Sequence, residues 1–304
     1  MKHFLDISQL SRQQILALIH RAMQFKHLSA YPCFPEDTVA HLFYENSTRT
    51  RVSFELAAKR LSMSVVNLDL HVSSESKGEA IDDTVKTLAA MGIKYFVIRH
   101  TQEGLPQRLA DTCGDDLHII NAGDGAHAHP SQAMLDLMTI MERKPDLSLL
   151  KIVIVGDIRH SRVANSLQCL FATLGVRELA LVAPEAWQPS DVHYGRVTAS
   201  LYDGITDADV VIGLRVQRER LLASEHLDLG SYRRDYALTS ERLEYAKRDA
   251  IVMHPGPINR GIEIDSDVAD GPQSSILEQV SNGVFMRMAI LDTLAQRTSQ
   301  KITR

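Results

Sequence analysis

Apolar residues along the chain alternate between short continuous runs and stripes at helical spacing. Between residues 8 and 28, Leu10, Ile15, Leu18, Ile19, Ala22 and Phe25 predict an amphipathic helix, with Ser8 placed to cap it. Tyr31-Pro32-Cys33-Phe34-Pro35 breaks that pattern, and Val39 to Tyr44 (VAHLFY) reads as a strand. Phe54, Ala57, Ala58 and Leu61 return to helical spacing, and Ser64 to Leu70 (SVVNLDL) reads as the next strand. Residues 71–80 form a polar loop, followed by a helix marked by Ile81, Val85, Leu88 and Met91 and a strand at Tyr95 to Ile98. A further helix around Leu105 to Cys113 and a strand from Leu117 to Ile120 repeat the rhythm. Met134, Leu137, Met138 and Met141, bounded by Pro130 and Pro145, predict a core helix over 131–143 rather than a cofactor box.

Beyond Pro145 the rhythm restarts with Lys151-Ile152-Val153-Ile154-Val155, almost continuously apolar as befits a strand buried on both faces. A helix over 161–174, strands at Leu179 to Val182, Ala208 to Leu214 and Ala250 to Met253, and a last helix at about 274–298 complete the pattern. The expected class is α/β, with two domains, each a parallel β-sheet flanked by helices, and binding groups gathered outside the carboxyl ends of the strands.

Composition narrows the function classes. The 304 residues carry a net charge of −5 from 33 basic and 38 acidic side chains, without a basic run, so nucleic acid and an anionic membrane are not expected partners. The 3 cysteines, Cys33, Cys113 and Cys169, are scattered and predict free thiols in a reducing, cytoplasmic setting. Met1 to Ile7 lacks the apolar core of a signal peptide, and no stretch approaches the roughly 18 apolar residues of a membrane helix.

The chemistry sits after the strands. Ser47-Thr48-Arg49-Thr50-Arg51 follows the first one, at the start of a helix whose free amides and positive dipole end favour an anion, and its arginines add forked donors. By itself this stretch reads equally as a capped helix, with Ser47 or Thr48 as cap and arginines that face solvent or pair with Glu45 and Glu55. Later strands are followed by Ser73 to Lys77, Arg99-His100, His129-Pro130-Ser131-Gln132, Arg159 to Arg162, Arg215-Val216-Gln217 and His254-Pro255-Gly256-Pro257. No nucleophile triad, carboxylate pair or Walker loop stands among them, and Gly156-Asp157 lacks the dinucleotide fingerprint. His127 and His129 have no third ligand nearby, so neither metal nor cofactor is expected. The pattern suits transfer from a phosphorylated donor to an anionic acceptor by positioning and electrostatics.

Ser47-Thr48-Arg49-Thr50-Arg51, His129-Pro130-Ser131-Gln132 and His254-Pro255-Gly256-Pro257-Ile258-Asn259-Arg260-Gly261 together resemble the carbamoyltransferases, collinearly over essentially the whole chain. Within that superfamily the chain is similar to the aspartate branch. The ornithine enzymes carry Cys-Leu-Pro after the last histidine and a later Ser-Met-Gly, both absent here, while Arg215 to Arg220 resembles the aspartate acceptor segment.

The resemblance implies transfer of a carbamoyl group from carbamoyl phosphate to L-aspartate, giving N-carbamoyl-L-aspartate and phosphate. It implies a carbamoyl-phosphate-binding domain of residues 1–135 plus a C-terminal helix 280–304, and an aspartate-binding domain of residues 136–279. Ser47, Thr48, Arg49 and Thr50 would hold the phosphate, and Arg99, His129 and Thr50 the carbonyl oxygen. Gln132 and main-chain carbonyls near Pro255, Gly256 and Pro257 would orient the amide. Arg162, Arg215 and Gln217 would hold the aspartate carboxylates. Ser73 and Lys77 would reach the neighbouring subunit's site in a homotrimer, with Lys77 also touching aspartate. Domain closure on aspartate is expected, and regulatory or dihydroorotase-like subunits are partners that the resemblance leaves open. Arg51 is expected in a supporting role, His100 and His254 in structural ones.

Overall fold

A computed structural model describes residues 1–68, 80–216 and 228–302. The chain divides into two units, Met1–Met138 with the stretch from Val280 onward, and Thr139–Gln279.

The first unit opens with α1 (Arg12–His27), where Ser11 and Gln14 form a reciprocal capping box. The helix therefore starts beyond the expected cap Ser8, which instead lies in a 3-10 turn, Ile7–Gln9, held by Asp6. Then follow β1 (Thr38–Phe43), α2 (Thr48–Arg60), β2 (Ser64–Asn67), α3 (Ile81–Ala90), β3 (Tyr95–His100), α4 (Leu105–Thr112), β4 (His118–Asp124) and α5 (Pro130–Arg143). All pairings in this sheet are parallel, in the order β2-β1-β3-β4. One core packs Ala40, Leu42, Phe96, Ile98 and Ile119 of the strands with Val85 and Leu88 of α3 and Leu105 and Leu109 of α4.

The second unit continues with β5 (Lys151–Val155), α6 (Arg162–Leu174), β6 (Glu178–Val182), β7 (Arg196–Thr198), α7 (Leu201–Ile205), β8 (Val210–Gly213), α8 (Leu229–Tyr236), α9 (Ser240–Leu243), β9 (Ile251–Met253) and α10 (Ser266–Ala269). Its sheet is again wholly parallel, in the order β7-β6-β5-β8-β9, with the apolar β5 at the centre. Val153, Val155, Ala180, Val182, Val211 and Val252 form its core with Leu201 and Ile205 of α7 and Leu243 of α9. The pattern of apolar runs did not disclose β7, a three-residue edge strand paired only to β6 and free of a continuous apolar run. The last helix, α11 (Ile276–Ile302), begins in the second unit and ends in the first.

Both sheets are the doubly covered parallel type that the alternating pattern predicts. No helix among the described residues is long and apolar enough to cross a membrane.

Candidate active site

In the first unit the sequence-predicted donors gather at the carboxyl ends of neighbouring strands. β1 runs into Ser47, which occupies the N-cap position of α2 yet makes no side-chain capping bond. Arg49 is exposed on that turn, whereas Thr50 is buried. Ser53 Oγ donates to the carbonyls of Arg49 and Thr50 at 2.7 and 3.0 Å, pinning the turn from below.

Arg99 is the penultimate residue of the adjacent β3, in register with Phe43, and its carbonyl accepts from Tyr44 N–H at 2.9 Å. Its guanidinium is nearly buried, donates from Nη1 to the Ala122 carbonyl at 3.2 Å, and lies 3.2 Å through Nε from Glu45 Oε2. The Glu45 contact is an ion pair by distance, off line for a hydrogen bond from Nε. Thus Glu45 pairs with Arg99. Arg51 reaches Glu55 only through Asn67, donating to Asn67 Oδ1 at 3.2 Å while Asn67 Nδ2 donates to Glu55 at 3.2 Å. The same Asn67 oxygen lies 2.9 Å from His41 Nδ1, and burial pushes His41 down to about 4. Arg51 is a supporting residue.

After β4 the chain turns through a loop held by Asp124, which accepts from Ala128 N–H at 3.3 Å and Gly104 N–H at 3.3 Å. Burial raises the Asp124 carboxyl above its ordinary range, and His127 partly offsets this. His127 Nε2 pairs with Asp6 Oδ2 at 3.1 Å, and that bond raises the His127 imidazole above its ordinary value. This anchored loop delivers His129 and Gln132, both nearly buried, at the start of α5. His100 is structural: its Nδ1 accepts from Gln102 N–H at 2.8 Å and its ring packs against Tyr44.

The second unit builds its donors the same way. After β5, Gly156 sits at φ 134°, where an added Cβ would lie 3.0 Å from both Leu214 Cβ and the Leu214 carbonyl. Buried Asp157 then accepts from the N–H and ring of His160 at 3.2 and 2.8 Å. Ser161 caps α6 through Ala164 N–H, and Arg162, 6% exposed, is its first residue. Arg215 follows the neighbouring β8.

After β9, His254 N–H donates to Gln279 Oε1 at 2.9 Å, and its Nδ1 accepts from Gly256 N–H at 2.8 Å. Glu263 lies 3.4 Å from His254 Nε2 and accepts from Asn259, whose amide also reaches the Val216 carbonyl at 3.4 Å. The loop carrying Gly256 and Pro257 is thereby tied to the residue beside Arg215. Ser73, Lys77 and Gln217 lie outside the described residues.

Sequence reading passed over Glu45 as the partner of Arg99, and over Asp136, Glu263 and Arg287. For Arg287 a signal exists: it is a lone charge within the apolar run Met286 to Leu291. Among the described residues no group of three or more His, Cys, Asp or Glu could hold a metal ion.

The family model for the aspartate/ornithine carbamoyltransferase carbamoyl-P binding domain matches residues 2–142, and that for the Asp/Orn binding domain matches residues 148–294. The chain belongs to the aspartate/ornithine carbamoyltransferase family. The aspartate carbamoyltransferase catalytic subunit of Legionella pneumophila (strain Corby) is 66% identical to this carbamoyltransferase over 294 residues, 97% of this chain and 99% of that one. The crystal structure of aspartate transcarbamoylase from Trypanosoma cruzi in complex with carbamoyl phosphate and aspartate superposes with a TM-score of 0.84 at 32% identity, covering 95% of each chain. Ornithine carbamoyltransferase from Pyrococcus furiosus also has a TM-score of 0.84, at 26% identity, over 95% of this chain and 96% of that one. The fold is therefore common to both branches, and the higher identity lies with the aspartate one.

Proposed function

We propose that this carbamoyltransferase moves the carbamoyl group of carbamoyl phosphate to the α-amine of L-aspartate, releasing N-carbamoyl-L-aspartate and phosphate, in de novo pyrimidine synthesis. The observation that carries the reading is the 66% identity, over nearly the full length of both chains, to a protein named as an aspartate carbamoyltransferase catalytic subunit.

In the first unit, the first-turn amides of α2, which the Ser47 side chain does not cap, hold the phosphate with Ser47, Thr48, Arg49 and Thr50. Arg99, Thr50 and His129 donate to the carbonyl oxygen, and Gln132 receives the carbamoyl amide. In the second unit, Arg162, Arg215 and Gln217 hold the carboxylates of aspartate, for which forked cations suit both charge and shape. The carbonyls of Gly256 and Pro257 are acceptors for the same amide.

The amine lone pair forms the new C–N bond, and the carbonyl π electrons move to oxygen. That oxyanion is where Arg99, Thr50 and His129 contribute most, because their donors strengthen as charge develops. The intermediate collapses by breaking the bond from carbon to the bridging oxygen. Phosphate leaves with the electron pair and takes the amine proton, so no protein base is required.

The enzyme works as a homotrimer in the cytoplasm, with Ser73 and Lys77 supplied by a neighbouring subunit and Lys77 also touching aspartate. Mixing inactive Arg49→Ala and Lys77→Ala chains and allowing them to exchange subunits tests the sharing. An equal mixture is expected to regain about a quarter of parental activity, because each hybrid trimer carries one site of three with two intact halves and the unmixed trimers carry none. Continued inactivity of the mixture would remove the shared site. For the reaction itself, transfer from carbamoyl phosphate is measured with L-aspartate, L-ornithine or no acceptor. Product with aspartate alone is expected; product with ornithine would overturn the roles of Arg162, Arg215 and Gln217.

A further inference from the structure

The first unit buries a charge that the reaction so described does not use. Arg287, in α11, is 3% exposed, between Met286 and Met288. Its Nη1 donates to the Gly283 carbonyl at 3.0 Å and its Nη2 to Ser131 Oγ at 3.4 Å, and its guanidinium carbon lies 5.0 Å from the centre of the Phe54 ring on α2. Asp136, fully buried on α5, is its electrostatic partner and accepts from Gln132 Nε2 at 2.8 Å. Burial pulls Arg287 down to about 10, which leaves it protonated at neutral pH. A buried cation of this kind is costly unless it is hydrogen-bonded and paired. Here the helix that starts at the phosphate turn, the helix that carries Gln132 and the last helix all meet on it.

The consequence lies in the polarity of one amide. A carboxylate accepts and does not donate, so Gln132 must turn its NH2 group toward Asp136 and its Oε1 the other way. A carbamoyl group ends in an NH2 that donates. We propose that Asp136 and Arg287 are positioning residues that select a carbamoyl donor over other acyl phosphates, by fixing which end of the Gln132 amide faces the ligand. This rests on the donor-site role of Gln132 proposed above. Acetyl phosphate has the same phosphate and carbonyl but a methyl group in place of the NH2, so it gains nothing from Oε1. Asn at position 136 would both donate and accept, and would release the Gln132 amide to turn over.

The test uses the full-length protein and measures calorimetric binding of carbamoyl phosphate and of acetyl phosphate, together with steady-state transfer, for the parent, Asp136→Asn, Arg287→Lys and Arg287→Met. Asp136→Asn should weaken carbamoyl phosphate roughly tenfold, the worth of one hydrogen bond of about 1.4 kcal/mol, and leave acetyl phosphate within about twofold. KM for carbamoyl phosphate should rise by more than kcat falls. Arg287→Lys, which keeps the charge, should retain most of the selectivity that Arg287→Met loses. If Arg287→Met does not fold, Asp136→Asn and Arg287→Lys carry the test. Equal weakening of both donors by Asp136→Asn, or no weakening of either, would overturn the proposal. A parent protein that binds no carbamoyl phosphate would instead overturn the functional reading beneath it, so the two failures are distinct.

Discussion

Two helices start in equivalent places, α2 after the inner strand β1 of the first sheet and α6 after the central strand β5 of the second. Each has a serine at its N-cap, but only Ser161 caps, accepting from Ala164 N–H, while Ser47 makes no such bond. The same residue type at the same position therefore does different work. At α6 the helix end is closed by its own chain, and nearly buried Arg162 is the first helical residue. At α2 the N-cap side chain leaves the helix end uncapped, with Arg49 exposed on its first turn. A compact, highly charged phosphate suits the first arrangement of donors, and the smaller charge of a carboxylate suits a forked arginine.

The sharpest way to break this comparison is to remove the charge that works with the open helix end. Arg49→Ala should lower carbamoyl transfer by roughly 10² to 10³-fold, the usual cost of one donor aimed at developing charge. Its thermal midpoint should match the parent, because the residue is exposed; an active variant would separate α2 from the chemistry.

Next in size is an acid effect confined to the first unit. Burial holds His41, on β1, down to about 4, so the folded protein keeps it neutral where an unfolded chain, with a histidine near 6.5, takes up a proton. A depressed folded value means that stability is complete above pH 6.5 and is lost as pH falls from there toward 4, by up to about 3 kcal/mol. Denaturant titrations across that range should show the slope in the parent and a flatter one in His41→Gln. Equal slopes would assign the acid sensitivity elsewhere.

In the second unit, Gly156→Ala should cost about 2 kcal/mol, since alanine is strained at this positive φ and its Cβ would press on the Leu214 backbone. Urea midpoints would measure it. The smallest effects compare the caps themselves. Ser161→Ala should lose about 1 kcal/mol of stability, whereas Ser47→Ala should change stability by less than about 0.5 kcal/mol and yet weaken carbamoyl phosphate. Equal stability losses would show that the two serines do the same work after all.

Much of this arrangement was legible because it is written in local patterns. Lys151 to Val155 reads as a buried strand from its own residues, and donors placed after successive strands of a parallel sheet must share an edge. The features that escaped are those in which a residue's meaning is set elsewhere in the chain. Glu45 stands beside two arginines in sequence and pairs with Arg99 from another strand. Arg287 stands out as a lone charge in an apolar run, but its placement against Phe54 and Ser131 is set by other helices. Ser8 suits a cap by residue type, yet the reciprocal bond of Ser11 with Gln14 starts the helix three residues later. Strand β7 is too short, and too exposed along one edge, to leave a hydrophobic signature.

The discontinuity of the first unit bears on how the protein is made. Met286, Ile290, Leu291 and Leu294 are fully buried, and Arg21 and Lys26 of α1 bond to Asp292 and Asn282 of α11. The amino-terminal part of the chain must therefore wait for α11 before its core can close. The second unit is contiguous, so on a ribosome it has all its parts first, although it begins later in the sequence. Until the last helix emerges, the apolar faces of the first unit that pack against it stay uncovered.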